Sequence, residues 1–466
     1  MSPSRHPLVG ATLLLAACTP QASDLLVTVR EAPATVVELS WTSAEPGLSW
    51  VEFGLSAADQ RSTPSTTEQG TTHTHALLGL PPLQDVWYRA ITMVEGEEII
   101  EEGSVSTGGI PAELPELTVT VYEPELASPQ RYVMGTMLGT GDATSGVYAL
   151  DRDGQWLWYH VDPAGSIPLE IAVASAGGTF IYNRFGNDYS VDDGVLRRMS
   201  FDGEVVEEQA TPLAHHAFAE LPDGSLAWLT LDVRDWWNEP DGAYETTVGD
   251  AVVLQPPDGE ARTLFSTWDW VEPEKTPLWD QPFYPQGSDW THGNGLHWDA
   301  QRDVLVLSLR NIGTVLELSL DEAQTQAWPL RQLGLEGEQS FVDPEQLYEA
   351  STEQAFHMQH DPTFTADSTL LLTTVADATT QVTEYALDDQ QMSLERLRLH
   401  TAGDGLVSSA MGMARDLPNG NWLVSFGTSG LIQEVTPEGE IAWEIQASAG
   451  CSLGDVLLFD DFYELE

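Results

Sequence analysis

Leu150-Asp-Arg-Asp-Gly-Gln-Trp-Leu-Trp158, Met199-Ser-Phe-Asp-Gly-Glu-Val-Val206, Leu254-Gln-Pro-Pro-Asp-Gly-Glu-Ala261 and Val435-Thr-Pro-Glu-Gly-Glu-Ile-Ala-Trp443 are versions of one phrase: an apolar run, an acidic-Gly turn and a second run. Glycine after an acidic residue lets the backbone reverse at little steric cost, so each phrase predicts two antiparallel strands joined by a tight turn. A companion phrase comes earlier in the unit, as Leu221-Pro-Asp-Gly-Ser-Leu226 and Leu417-Pro-Asn-Gly-Asn-Trp422, with degenerate forms at Ala176-Gly-Gly178 and Ala366-Asp-Ser368. Together they describe a four-stranded unit in six copies, starting near residues 130, 168, 214, 293, 357 and 409. A sheet recurring every ~40–50 residues covers its faces only against its neighbours, so residues 118–466 are expected to form a six-bladed β-propeller. The wide gap from Trp268 to Asp289 lacks the repeat and reads as a loop or lid over one face, with Trp270, Trp279 and Trp290 packed under it.

Upstream, Leu25–Arg30, Val36–Thr42, Leu48–Gly54, His73–Leu80, Val86–Val94 and Glu98–Ser106 alternate apolar and polar residues between turn signals, without helical periodicity. This spacing predicts an immunoglobulin-like β-sandwich over residues 24–108, with Trp41 facing inward. Leu77-x-x-Leu80-x-Pro82 followed by Tyr88 resembles the E–F corner of fibronectin type III domains. Residues 109–117 read as a linker. The fold class expected is therefore all-β: an N-terminal fibronectin type III or immunoglobulin-like sandwich followed by a propeller.

The first residues, Met-Ser-Pro-Ser-Arg-His, lead into an apolar run from Leu8 to Ala17 and then Cys18, the order of an export signal and too short to span a bilayer. Leu15-Ala16-Ala17-Cys18 resembles a bacterial lipobox, which implies removal of residues 1–17, lipidation of Cys18 and retention on a membrane face, periplasmic or cell-surface. With Cys451 the one other cysteine, an acylated Cys18 leaves no intrachain disulfide. The net charge of −55, with Lys275 as the single lysine, excludes nucleic acid as a partner, because phosphate binding needs clustered cations. Plentiful aromatics and 42 % hydrophobic residues make this an acidic surface on a folded protein rather than a disordered chain.

The repeats align one another. His216 precedes Leu226, and His360 precedes Leu370, by the same ten residues; Asn294 stands ten before Val304, and Gly412 takes that place in the last unit. Equivalent positions on the innermost strands of a propeller open onto one end of the central channel, so these side chains are expected to converge on one pocket. His292, two residues before Asn294, is expected on the same strand face, and Arg310 ends the run Val304–Leu309. Six of the eleven histidines (His215, His216, His292, His297, His357 and His360) fall at these unit starts, which a scatter of separately buried imidazoles does not explain. No Gly-rich phosphate loop opens a helix, so no organic cofactor is expected.

Asp289-Trp290-Thr-His292-Gly-Asn294 followed by Ser308-Leu-Arg310-Asn311 resembles the Asp-Trp-x-His-x-Asn and Ser-x-Arg segments of bacterial arylsulfate sulfotransferases. Gln359-His360-Asp361 is similar to their Gln-His segment, and Leu417–Asn421 through Glu434–Glu440 to Trp443-Glu444 to their last blade. The resemblance implies transfer of a sulfuryl group from an aryl sulfate donor to a phenolic acceptor without a nucleotide sulfate. It implies His360 as the nucleophile that is transiently sulfated, His292, Asn294 and Arg310 as holders of sulfate oxygens, and His215 or His216 completing the ring, with the register favouring His216. An imidazole can attack sulfur in line, and the charge resting on the equatorial oxygens calls for fixed donors such as the forked guanidinium of Arg310. The chain departs from the family pattern in having no disulfide near the site and no arginine in Asp455–Leu465. Two other readings use the same residues: a non-catalytic, lipid-anchored propeller binding sulfated or phenolic ligands, and a metal-dependent hydrolase or lyase with His216, His292 and His360 as ligands. The guanidinium of Arg310 argues against the metal, since it repels a cation and attracts an oxyanion.

Overall fold

The computed structural model describes residues 23–56, 58–139, 144–175, 177–186, 189–191, 193–239, 241–276, 278–279, 283–335, 339–376, 378–403 and 405–465. The export signal and Cys18 lie outside them. Strands dominate, and the only helical elements among the described residues are single 3₁₀ turns. The chain divides into two compact units. Of the described residues, one unit is built of Ser23–Val29, Val37–Leu77 and Gln84–Ser106; the other of Arg30–Val36, Leu78–Leu83 and the chain from Thr107 on.

In the first unit a single strand, Val37–Gly54, replaces the two expected at Val36–Thr42 and Leu48–Gly54. Glu45-Pro46-Gly47 reads as a turn in the sequence, but here it marks the place where one strand leaves one set of partners for another. Its first half pairs with Ser23–Val29 and Gly70–Leu77, its second with Arg61–Ser62 and Asp85–Val94, and the register slips between Thr42 and Gly47. Such irregularities let a strand turn a corner without ending. Trp41 is buried, and its indole N–H donates to Thr92 Oγ1 at 2.8 Å, which satisfies the polar atom that burial removes from water.

The second unit carries six groups of four antiparallel strands, curled and nearly closed, two of which are joined into one sheet by Leu347–Ala350, pairing in parallel with Ala327–Leu335 and Ser393–Thr401. Their first strands are Cys451–Phe459, Ser166–Val173, Ala214–Glu220, Gly293–Asp299, His360–Phe364 and Met413–Asp416. Each neighbours the next, and Met413–Asp416 neighbours Cys451–Phe459 again. The copy expected to start near residue 130 thus lacks a first strand of its own: Tyr132–Gly139 is its second, and the strand Cys451–Phe459 is supplied from the far end of the chain. In return Leu117–Tyr122 pairs with Ile441–Ala447 at the outer edge of the last group. The acidic-Gly turns are where the repeats place them. Gly154, Gly203 and Gly439 have φ of +85°, +90° and +87°, a conformation that a side chain penalises.

Strand faces are apolar on both sides because a neighbouring group covers each. Leu229, Trp279, Trp290, Leu307 and Leu316 form part of one such interleaved layer, each worth roughly 1.5–3 kcal/mol on burial. Trp270, expected beneath the long loop with Trp279 and Trp290, instead lies 41 % exposed at its surface, while the other two are buried.

The join between the first and last groups is polar at its centre. Arg152, in the turn after Gly146–Asp151, forms a buried ion pair with Glu434 and stacks over Trp443 at 4.7 Å, and the Trp443 indole N–H donates to the Arg152 carbonyl at 2.8 Å. Glu434 also accepts from Ser128 N and Asn421 Nδ2. Removing one member of such a pair leaves the other charge buried. Arg152→Met is therefore expected to lower stability by ~3–5 kcal/mol, measured by denaturant unfolding; a change near zero would show that this join contributes nothing to closure.

Candidate active site

The first strands lose their regular ladder toward one end. Pairing slips between Ala214 and Phe218, between Gly293 and Gly295, and between His360 and Thr363. Bulges of this kind re-aim side chains that a regular strand would place on one of its two faces. Backbone at this end is also strained: His216, His292 and Asp361 have φ of +49°, +50° and +44°, the left-handed region that non-glycine residues adopt at a cost.

Counted back from the innermost hairpin pairs, Glu220↔Leu226 and Phe364↔Leu370, His216 and His360 stand at the same position, four residues earlier. Gly412 stands there in the last group, before Asp416↔Trp422. The turn after Asp299 is one residue shorter than these, because Asp299 pairs with Val304 directly, so the equivalent residue is Gly295 and Asn294 lies one step before it. His292 precedes the strand Gly293–Asp299 and does not share a strand face with Asn294.

The structure brings His216, His292 and His360 together. The ring of His216 lies 4.9 Å from that of His292 and 5.9 Å from that of His360, centre to centre. With Arg310, Phe283 and Asp289 they line a cavity of about 250 Å³. Asn294 is absent from that wall: it borders a smaller space of about 30 Å³ that shares His216 and His360 with the larger one and is also lined by Glu170, Asp361 and Asp455. Its Nδ2 donates to the Gln359 carbonyl at 2.7 Å. His215 is buried behind His216, and His297 and His357 line neither space.

Arg310 begins a 3₁₀ turn directly after the strand Val304–Leu309, as the sequence suggests. Its backbone N–H donates to the His292 carbonyl at 3.0 Å, and its Nη1 to Asn311 Oδ1 at 2.8 Å. Among the described residues it forms no ion pair with a carboxylate, whereas Glu317 faces Arg302 and Arg331 at 3.8 and 3.9 Å. Burial draws the Arg310 pKa below its ordinary value, with Asp289 opposing, yet a guanidinium stays charged in proteins. A cation free of carboxylate partners at a cavity wall is a site for an anion.

His360 is held at about 3, first by burial and then by the charges of His292 and Arg310, against a hydrogen bond to the Gly412 backbone. It is therefore neutral, with a lone pair available. Its Nδ1 is buried and makes no hydrogen bond to another described residue. His292 is fixed from behind by Asp289, Nδ1 to Oδ2 at 2.5 Å, and Asn311 Nδ2 donates to the Asp289 carbonyl at 3.1 Å. No set of three His, Cys, Asp or Glu side chains among the described residues is arranged to hold a metal ion.

Several participants escape sequence reasoning. Phe283 and Tyr284, from the segment between Trp268 and Asp289, cover the histidines, with Phe283 edge-on to His292 at 4.4 Å and Tyr284 stacked on it at 5.5 Å. The segment is thus a loop over the site, as expected, but nothing in its composition singles out these two rings. Asp250 accepts from Gly293 N at 2.7 Å and from Thr291 Oγ1, and faces His215. Its one sequence signal is a lone carboxylate in the apolar part of the strand Ala243–Gln255. Asp289 stands inside the histidine motif, where its spacing to His292 is the available clue.

Comparison with known proteins finds that the family model described as Arylsulfotransferase (ASST) matches residues 121–451. No curated protein matches the chain. Among solved structures, a protein of unknown function from Bacteroides caccae is similar at 12 % identity and a TM-score of 0.42, over 71 % of this chain and 100 % of that one. A putative 6-phosphogluconolactonase from Bacteroides uniformis is similar at 12 % identity and a TM-score of 0.39, over 91 % and 98 %. A catalytically inactive virginiamycin B lyase from Staphylococcus aureus, with quinupristin, is similar at 9 % and 0.38, over 73 % and 100 %. Likenesses this shallow say nothing about the reaction.

The free guanidinium predicts a tetrahedral oxyanion in the larger cavity. Titration calorimetry with sulfate should register binding that Arg310→Gln weakens by about tenfold or more, the ~1.5–3 kcal/mol of a charge-assisted hydrogen bond. Equal affinity in the two proteins would remove Arg310 from the anion's contacts.

Proposed function

The chain belongs to the arylsulfotransferase (ASST) family, and from that premise we propose that it transfers a sulfuryl group from an aryl sulfate to a phenolic acceptor in two steps through a sulfohistidine at His360. Family membership supports aryl sulfate sulfotransferase activity in general, with small aryl sulfates and phenols as substrates. The observation that carries the finer reading is the meeting of a neutral, half-buried imidazole, His360, with the carboxylate-free Arg310 on the wall of one cavity. In the first step a lone pair of His360 attacks sulfur, the S–O bond to the aryl group breaks, and a phenolate leaves. Arg310 and His292 hold the equatorial oxygens, whose charge persists through the step. In the second step an acceptor phenol takes the sulfuryl group from His360 and restores it. The fold proposed is a six-bladed β-propeller, supported by the unbroken circuit of first strands, preceded by a fibronectin type III or immunoglobulin-like sandwich.

The protein is further proposed to be exported and held on a membrane face by lipid at Cys18. This reading rests on Leu15-Ala16-Ala17-Cys18; among the described residues no helix is long and apolar enough to cross a membrane. A Cys18→Ser protein released from the membrane fraction would support the anchor, and one retained there would refute it.

Release of phenol from a chromogenic aryl sulfate should require an added acceptor in the steady state, and His360→Ala should reduce it by ~10³-fold or more. Retention of turnover in that variant would overturn the assignment. Because the folded-state pKa of His360 is depressed to about 3, its reactive neutral form persists as the pH falls. The first-step burst is expected to stay level from about pH 8 to pH 5, where an imidazole of ordinary pKa would have lost ~30-fold. A decline centred near 6.5 would show that His360 is not the attacking group.

A further inference from the structure

Three residues that the reaction above does not use, Asp250, His215 and His216, form a line of close polar contacts that ends at the cavity. His215 Nε2 lies 3.1 Å from Asp250 Oδ1. Both atoms are buried and neither makes a hydrogen bond to another described residue, which leaves this contact to satisfy them. His215 Nδ1 lies 3.1 Å from His216 Nδ1, and the Tyr284 hydroxyl stands 3.3 and 3.4 Å from these same two nitrogens.

The proton positions follow from the acceptor end. Asp250 is ionised: burial works against its charge, but hydrogen bonds from His215, Thr291 and Gly293 outweigh it and hold the carboxyl below its usual pKa. A carboxylate only accepts, so His215 carries a proton on Nε2, and where that is the ring's one proton its Nδ1 is an acceptor. Two facing Nδ1 atoms cannot both be acceptors at 3.1 Å, so with His215 in that tautomer His216 carries its proton on Nδ1. The remaining nitrogen, His216 Nε2, has no partner among the described residues and belongs to a ring that lines the cavity beside His360. Its lone pair is left for a ligand.

We propose that Asp250 and His215 are positioning residues that fix the tautomer of His216, so that His216 Nε2 takes the proton of the acceptor phenol as that phenol attacks the sulfated His360. The inference rests on the sulfohistidine reading above and assigns its second step. The balance is as follows: the phenol O–H bond breaks and its proton passes to His216 Nε2, the oxygen forms the new O–S bond, and the N–S bond breaks with its electron pair returning to His360. The proton then goes to solvent or, in the next cycle, to the departing phenolate. In the resting protein His216 resists a second proton, first through burial and then because His292, His215, His360 and Arg310 face it. As His216 takes the proton, Asp250 offsets the imidazolium through His215. Asp250 acts by orientation and charge, in the manner of the carboxylate of a catalytic triad.

The test charges the full-length protein with an aryl sulfate, removes the donor, and follows discharge of the sulfated enzyme to two acceptors at about pH 7: phenol, which must lose a proton, and a nitro-substituted phenol already present as phenolate. Asp250→Asn and His215→Gln should each slow discharge to phenol at least ~10-fold more than discharge to the phenolate, within the ~10²–10⁴-fold that a positioned base contributes. An equal loss with both acceptors, which a merely structural role would produce, or no loss with either, overturns the proposal. Since Asp250 also holds Gly293 and Thr291, a second measurement uses the unmodified protein: imidazole ¹⁵N shifts should report His216 as the Nδ1–H tautomer and His215 as the Nε2–H tautomer. His216 observed as Nε2–H refutes the mechanism whatever the variants do. A wild-type protein that never becomes sulfated overturns the second-step role together with the sulfohistidine reading on which it rests; the tautomer measurement then separates the two failures, since shifts as expected leave the Asp250–His215–His216 geometry standing.

Discussion

A sheet with two apolar faces has to be covered on both, and in a row of such sheets the first and the last are each left with one face open to water. The second unit escapes that cost by bending the row until its ends meet. Closure is made by exchange: Cys451–Phe459 completes the group of Tyr132–Gly139, and Leu117–Tyr122 edges the group of Ile441–Ala447. The join carries the buried pair Arg152 and Glu434, with Trp443 packed over the guanidinium. Everything at the centre depends on this circuit, because it brings six first strands side by side and lets residues distant in sequence meet.

Where those strands end, the ordinary rules of strand geometry give way. Ladder slips and left-handed backbone at His216, His292 and Asp361 cost energy that the packed sheets behind them supply. The gain is that imidazoles from different groups face one space. Burial keeps His360 and His216 neutral and the lone arginine keeps its charge, so an acidic protein of net charge −55 presents at this one place an anion-seeking wall with lone pairs beside it. The surrounding carboxylates are turned to other uses: Asp289 fixes His292 and Asp250 faces His215.

Much of this is legible in the chain because repeats carry their own alignment. The shared offset of His216 and His360 from the next strand identifies equivalent positions, and those residues do meet. Asn294 shows the limit of counting: a turn one residue shorter after Asp299 shifts the equivalence to Gly295, and Asn294 ends on the smaller space and not on the main cavity. His215 and His216 are adjacent letters with opposite fates, because the bulge between Ala214 and Phe218 turns one ring to the cavity and the other to Asp250.

The sequence by itself determined the strands, their turns and the positions at which histidines recur, since these follow from local backbone preference and from a period of alternation that needs no distant partner. The tertiary structure decided which strand opens the first group, that Val37–Gly54 runs through Glu45-Pro46-Gly47, and that Asp250, Tyr284 and Phe283 belong to the site. Those outcomes depend on contacts between residues tens to hundreds of positions apart. A hydrogen bond or a stacked ring at that separation is specified only once every intervening turn has closed, and a linear pattern does not encode it.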